Sequence, residues 1–202
     1  SFYKAINEPV KSIMRPHPPT VENVATIGRA IELMKQYGVG GLPVVDSANR
    51  VLAIVTEKDL LSIFEKKARN AKVATLMTRT AVTGTAATTI IEAERKMVNK
   101  SFRRLPLVSE GKLVGIVTAM DIVRFFGSGE VFQHLRSGTV LQVLQTPALQ
   151  IGTKKLITTH ENADATEAAK TMKERNVGAL LVVDEEKLVG ILTERDFFKL
   201  AS

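Results

Sequence analysis

Three short stretches of this sequence set an apolar strand end, a hydroxyl and a carboxylate in one fixed order. They are Ala53-Ile54-Val55-Thr56-Glu57-Lys58-Asp59, Gly115-Ile116-Val117-Thr118-Ala119-Met120-Asp121 and Gly190-Ile191-Leu192-Thr193-Glu194-Arg195-Asp196. Thr-x-x-Asp after an apolar run has the form of a capping box. The Thr oxygen accepts the amide three residues on, and the carboxylate returns to the amide of the Thr. The same geometry suits a ligand. A helix N-terminus offers unpaired N–H donors and a partial positive charge to a phosphate. A Thr hydroxyl can join them, and a carboxylate one turn in can accept both hydroxyls of a ribose. A glycine three residues before the Thr lets a ligand or another stretch of backbone come close. The two readings are compatible, because a carboxylate accepts more hydrogen bonds than one amide supplies.

No second set of residues competes with these motifs. His17, His134 and His160 are not spaced as metal ligands, and no cysteine assists them. Gly127-Ser128-Gly129 lacks the strand–loop–helix setting and the Lys of a phosphate loop, and reads as a linker. Ser128 stands in no nucleophile elbow. The chain is therefore not expected to be an enzyme.

The elements that must position the motifs come in three copies. Anchored on Thr20, Thr83 and Thr158, the copies match at Ile27, Ile90 and Ala165, at Met34, Met97 and Met172, and at Pro43, Pro106 and Leu181. Each begins with a short extended piece through the anchor. A helix follows, with an apolar stripe at Ile27, Ala30, Ile31 and Met34 in copy one and at Ala165, Ala168, Ala169 and Met172 in copy three. Next come two apolar runs, Leu42-Pro43-Val44-Val45 and Val51-Leu52-Ala53-Ile54-Val55 in copy one, separated by a polar turn. A second helix opens at the motif Thr. The expected fold class is α/β (α+β): tandem β-α-β-β-α modules, each a small sheet of parallel character with helices on one face. The uncovered face needs a cover, and another copy is the obvious one, paired about a pseudo-twofold axis. The expected boundaries are 10–66, 73–126 and 147–202, with 127–146 as a connector. That connector offers short helices at 130–135 and 140–144. Phe2-Tyr3-Lys4-Ala5-Ile6 reads as the tail of another connector.

Composition sets the outer limits. The chain has 202 residues, 45% hydrophobic and 24% charged, an ordinary globular balance. With no cysteine, disulfides and thiolate sites are excluded. No apolar run approaches the ~18 residues of a membrane span. The start, Ser1-Phe2-Tyr3-Lys4, has no signal-peptide form, and the missing initiator Met reads as a truncation boundary. Cytoplasm is the expected compartment. A net charge of +7 suits anionic partners. The basic residues are dispersed and no Trp is present, which argues against a single-strand stacking platform and leaves nucleic-acid binding, motivated by charge alone, as a further alternative.

The repeat resembles the CBS domain, named after cystathionine β-synthase and found also in AMP-activated kinase gamma subunits. The resemblance rests on Ile13-Met14 before the first anchor, on Gly41-Leu42-Pro43-Val44-Val45-Asp46, and on the thrice-repeated motif. It implies a regulatory protein whose paired modules bind an adenosyl ligand in clefts between them. AMP, ADP or ATP is expected first; S-adenosylmethionine, or an architectural role without ligand, is the alternative. By this resemblance Asp59, Asp121 and Asp196 hold ribose hydroxyls. Thr56, Thr118 and Thr193 contact ribose or phosphate, and Thr20, Thr83 and Thr158 lie near the base. The phosphate-contacting basic pair matches only Arg103-Arg104, since copies one and three carry Gly40-Gly41 and Gly178-Ala179 there. Other departures are Ala53 for the motif glycine, Gly152 where the other copies have Met14 and Met77, and Leu181 for the strand proline. His17 reads as an exposed loop residue, with a ligand-lining role as the alternative. Three modules cannot all pair within one chain, so either a homodimer or a fourth CBS module outside this chain is expected.

Overall fold

The computed structural model describes residues 7–79 and 81–201. The stretch Phe2-Tyr3-Lys4-Ala5-Ile6, read above as a connector tail, lies outside them.

Each copy builds the expected order of elements. Copy one is β1 (Val21–Glu22), α1 (Ile27–Tyr37), β2 (Gly41–Val45), β3 (Val51–Thr56) and α2 (Glu57–Lys67). A short helix, α3 (Val73–Leu76), leads into copy two: β4 (Gly84–Thr85), α4 (Ile90–Lys100), β5 (Arg104–Ser109), β6 (Lys112–Thr118) and α5 (Ala119–Phe126). The connector forms α6 (Gly129–Ser137) and α7 (Val140–Leu144), so Gly129 opens a helix and the linker is shorter than expected. Copy three is β7 (Thr158–Thr159), α8 (Ala165–Glu174), β8 (Ala179–Asp184), β9 (Lys187–Thr193) and a 3₁₀ helix over Glu194–Ala201.

Local chemistry explains most of these boundaries. The Thr26 hydroxyl accepts the Arg29 amide at 3.1 Å to open α1, and Gly38, at φ 63°, closes it in the left-handed region. Thr89 and Glu92 cap α4 reciprocally. That hydrogen bonding holds the Glu92 carboxyl below its ordinary pKa. The strands correct one expectation. β1 and β2 are parallel, but β2 and β3 are antiparallel, as are β5 and β6. The turn between each such pair is too short for a parallel crossover, which needs a dozen or more residues.

The chain forms two compact units. Of the described residues, one unit holds 7–12, 81–158 and 183–190, and the other holds 13–79, 159–182 and 191–201.

In the first unit, Ala93, Met97, Leu105, Leu107 and Val117 of copy two form a core that includes Ala148, with Leu149 and Ile151 packed against it. These last residues belong to the arm that leads into copy three. The arm is held by its backbone. The Ile90 N–H donates to Thr146 O at 2.9 Å, and the Ala148 N–H to Thr88 O at 2.8 Å. Ile116 and Thr153 exchange both bonds, at 3.0 and 2.8 Å. The motif glycine therefore serves a chain contact: a Cβ on Gly115 would lie 2.5 Å from Leu149 Cδ1.

In the second unit the arm leading into copy two does the same to copy three. The Ala165 N–H donates to Ala71 O at 2.9 Å, and the Val73 N–H to Ala163 O at 3.0 Å. Thr78 and Ile191 exchange bonds at 2.9 and 3.0 Å. Thr78 and Thr153 each lie five residues before their anchors, and Ile116 and Ile191 two before their motif Thr. Each of copies two and three is thus crossed, within its own unit, by the arm that leads into the other copy, and that arm supplies cover for its sheet. Copy one joins the second unit through helices. Phe64 of α2 meets Phe198, ring centroids 5.6 Å apart, and Lys35 Nζ donates to Phe198 O at 3.1 Å.

One member of the expected stripe of copy one is not buried. Ile27 is 50% exposed, and Leu33 joins Ala30, Ile31 and Met34 in the core instead. Ile90 and Ala165, at the same position in the other copies, are fully buried where an arm crosses them. Among the described residues no arm crosses Ile27.

Candidate functional site

All three Thr-x-x-Asp motifs close as caps at a strand-to-helix step. In copy two the Thr118 N–H and hydroxyl donate to Asp121 Oδ2 at 2.8 and 2.7 Å, and the Asp121 amide donates back to Thr118 Oγ1 at 3.1 Å. In copy one the Thr56 N–H and hydroxyl reach Asp59 Oδ2 at 2.8 and 2.7 Å. In copy three the Thr193 N–H and hydroxyl reach Asp196 Oδ2 at 2.8 and 3.1 Å. The carboxylates differ in what is left over. Among the described residues, Oδ1 of Asp59 and of Asp121 accepts no hydrogen bond. Asp196 is buried, and its Oδ1 accepts Lys199 Nζ at 3.1 Å. The 3₁₀ winding of this helix stacks residues three apart, which brings that lysine over the carboxylate. Asp59 is exposed and Asp121 half-buried.

The residues before the first long strand stand next to the motif in every copy. The first amide of each motif helix donates to a carbonyl there: Glu57 to Gly40 at 3.0 Å, Ala119 to Arg103 at 2.9 Å, Glu194 to Gly178 at 3.3 Å. Arg104 lies directly across the ladder from Thr118. Directly opposed residues share a face with Cβ atoms about 5 Å apart. The sheet thus brings Arg104, Thr118 and Asp121 to one strand end. Both arginines are engaged with other groups of the protein.

The anchors stand apart from the motifs within their own copies. Thr20 lines a cleft of about 430 Å³ with Glu22, Ala25, Arg29, Val45 and Asp46, near the polar turn of the sheet. Val21 pairs with Val44, whereas Thr56 pairs with Gly41. Three residues of strand, about 10 Å, separate the two levels. Thr83 offers its carbonyl to Lys96 Nζ at 3.3 Å. Thr158 opens β7 and is exposed. His17 is exposed, at φ 54°. Among the described residues no cluster of three His, Cys, Asp or Glu side chains is arranged to hold a metal ion. Among the described residues no helix is long and apolar enough to cross a membrane.

Two site residues were missed by sequence reasoning. In the second unit Arg195 Nε meets Glu57 Oε1 at 2.5 Å, joining the first turns of the motif helices of copies one and three. Glu57 is nearly fully buried and Arg195 is 43% exposed. The signal was present at the variable motif positions. These are Glu57-Lys58 and Glu194-Arg195 in the copies that meet, but Ala119-Met120 in copy two. Arg195→Met is expected to cost about 1–2 kcal/mol, because it strips a charged hydrogen bond from a buried carboxylate. Glu57→Gln is expected to cost less, because solvent screens the half-exposed guanidinium left behind. Urea melts of the two variants check this order.

The CBS domain family model matches residues 10–66, 73–128 and 148–202. Protein MJ1225 of Methanocaldococcus jannaschii is 36% identical over 201 residues, which are 98% of this chain and 72% of that protein. Its crystal structure, titled as a proposed archaeal homologue of γ-AMPK, superposes with a TM-score of 0.93 and 35% identity over 100% of this chain and 73% of that one. A 33.4 kDa protein from the ribosomal RNA operon of Thermofilum pendens is 34% identical over 194 residues, 96% of this chain and 65% of that protein. The CBS domain pair of protein MJ0100, solved with 5'-methylthioadenosine and S-adenosyl-L-methionine, matches 65% of this chain and 100% of its own at 27% identity and a TM-score of 0.52.

Proposed function

Because the chain belongs to the CBS-domain family, we propose that it is a regulatory protein that binds an adenosyl ligand and does not turn it over. AMP, ADP or ATP is the first choice and S-adenosylmethionine the second. The observation that carries the reading is the strand end of copy two. There the Asp121 carboxylate accepts no hydrogen bond at Oδ1 among the described residues, and its partner hydroxyl, on Thr118, stands directly across the ladder from Arg104. In this reading Asp121 Oδ1 accepts a ribose hydroxyl, Arg103 and Arg104 neutralise a phosphate, and Thr118 contacts either. Thr83 lies toward the base. Asp59 and Thr56 offer a second site without a basic pair. Asp196 offers the poorest, since both its oxygens are already taken. The MJ0100 pair, solved with two adenosyl compounds, supports the ligand class. A ligand held by one arrangement of modules better than another shifts the protein toward that arrangement, which is all that regulation requires.

A second reading, that the motifs serve only as caps, is favoured by copy three, where both carboxylate oxygens of Asp196 are taken by groups of the chain. A thermal-shift panel of AMP, ADP, ATP, GTP and S-adenosylmethionine separates the two. At 100 times its dissociation constant a ligand adds about 2.7 kcal/mol. Adenosyl compounds are expected to raise the melting temperature and GTP to leave it unchanged. A flat response to all five favours the caps.

A further inference from the structure

The motif of copy three differs from the other two by a lysine one turn in. Lys199 Nζ donates to Asp196 Oδ1 at 3.1 Å, and it also donates to the carbonyl of Leu76, the last residue of α3. Three residues after the motif Asp, the other copies carry Ser62 and Arg124. Ser62 brings neither charge nor reach. Arg124 brings both, yet it is exposed and makes no hydrogen bond or ion pair among the described residues. Helix winding accounts for the contrast. α5 is an α-helix, which leaves residue i+3 to one side of residue i. The helix over Glu194–Ala201 is 3₁₀ throughout, which sets Lys199 in line with Asp196. A 3₁₀ run of 8 residues is uncommon. This one is held from both sides, by the buried rings of Phe197 and Phe198 and by the bond from Lys199 to the arm.

A ribose hydroxyl and a lysine ammonium are donors for the same carboxylate oxygen. In copies one and two, Oδ1 of the motif Asp accepts nothing among the described residues. In copy three the chain itself supplies the donor. Either bond has an ionised acceptor, but only the ammonium adds a full opposite charge. Solvent screens part of that attraction, so the second bond matters as well. Leu76 is buried and ends a helix, where carbonyls lack an intrahelical partner. A ligand at Asp196 would have to break an ion pair and leave a carbonyl of the arm without its donor.

We propose that Lys199 is a built-in occupant of the motif of copy three. It stands where the ribose of a ligand would donate, and it turns that motif from a binding site into a lock on the arm that leads into copy two. Lys199 thereby sets how many adenosyl ligands one chain takes. The inference rests on the reading of the motif Asp as a ribose acceptor.

The test counts sites per chain by isothermal calorimetry, with AMP and then with S-adenosylmethionine, in the parent and in Lys199→Met and Lys199→Gln. Melting is followed alongside. The Lys199 side chain is 51% exposed, so water reaches the Leu76 carbonyl once the ammonium is gone. Both variants are therefore expected to stay folded, with a lower melting temperature. If Lys199→Met unfolds, Lys199→Gln, which keeps a polar donor, carries the count. Each variant is expected to take one ligand more per chain than the parent, and Asp196→Asn added to Lys199→Met is expected to abolish the extra site. An unchanged count in folded variants of a parent that binds overturns the proposal and leaves the ribose reading standing. Binding by neither parent nor variants overturns both. An extra site that survives Asp196→Asn overturns the assignment to this motif.

Discussion

Gly152→Val is expected to lower the stability of the chain by about 2–3 kcal/mol, at the upper end of overpacking costs. A Cβ at this position would lie 2.5 Å from the Ile116 carbonyl oxygen, 3.2 Å from its carbon and 3.3 Å from the Ala148 oxygen. These atoms are backbone and cannot turn aside as a side-chain end can. They are also fixed by their own bonds. The Ile116 oxygen accepts the Thr153 amide at 2.8 Å, and the Ala148 oxygen accepts the Gly152 amide at 2.9 Å. Relief would require the arm to lift from β6, uncovering the core that Ala148, Leu149 and Ile151 complete. Gly129→Ala is the control, because nothing lies within 4 Å of a Cβ there. Its expected effect is zero or slightly stabilising, since alanine is the better helix former. A urea melt of Gly152→Val within 0.5 kcal/mol of the parent would show that the arm is not held where the structure puts it. The same observation explains why copy three departs from Met14 and Met77 at this position.

Arg104→Ala and Asp121→Ala are expected to separate the two ends of the ligand. An arginine–phosphate contact is charge-assisted and can be bidentate. Its loss is expected to weaken AMP by about 1.5–3 kcal/mol, while adenosine, which has no phosphate, is affected little. Arg103→Ala is expected to act in the same direction. Asp121→Ala is expected to weaken AMP and adenosine together, because both carry the ribose. It also removes a cap, at about 1 kcal/mol of stability, so melting without ligand must be measured alongside. Isothermal calorimetry with the two ligands reads all these effects. Unchanged AMP affinity in both arginine variants would move the phosphate site to another copy.

The three-fold repeat, the helices and the motif caps were legible in the sequence because each depends on neighbours in the chain. A capping box spans four residues, and its geometry at Thr118 and Asp121 follows from their spacing alone. An apolar stripe depends on the period of one helix, and in copy three all four expected residues are buried. Residue chemistry at the motif was equally legible, down to the basic pair that only copy two possesses.

Tertiary structure alone decided which copies an arm crosses, which motif carboxylate is saturated and which apolar residues stay exposed. Val10 and Val73 are the same residue at the same place in two copies, yet one is 75% exposed and the other buried. Nothing within either copy distinguishes them. The difference lies in whether a second copy offers a sheet to cover, and burial depends on that second surface as much as on the residue. The Glu57–Arg195 pair has the same origin. Its partners are 138 residues apart, and only the packing of two motif helices gives either charge a reason to be where it is.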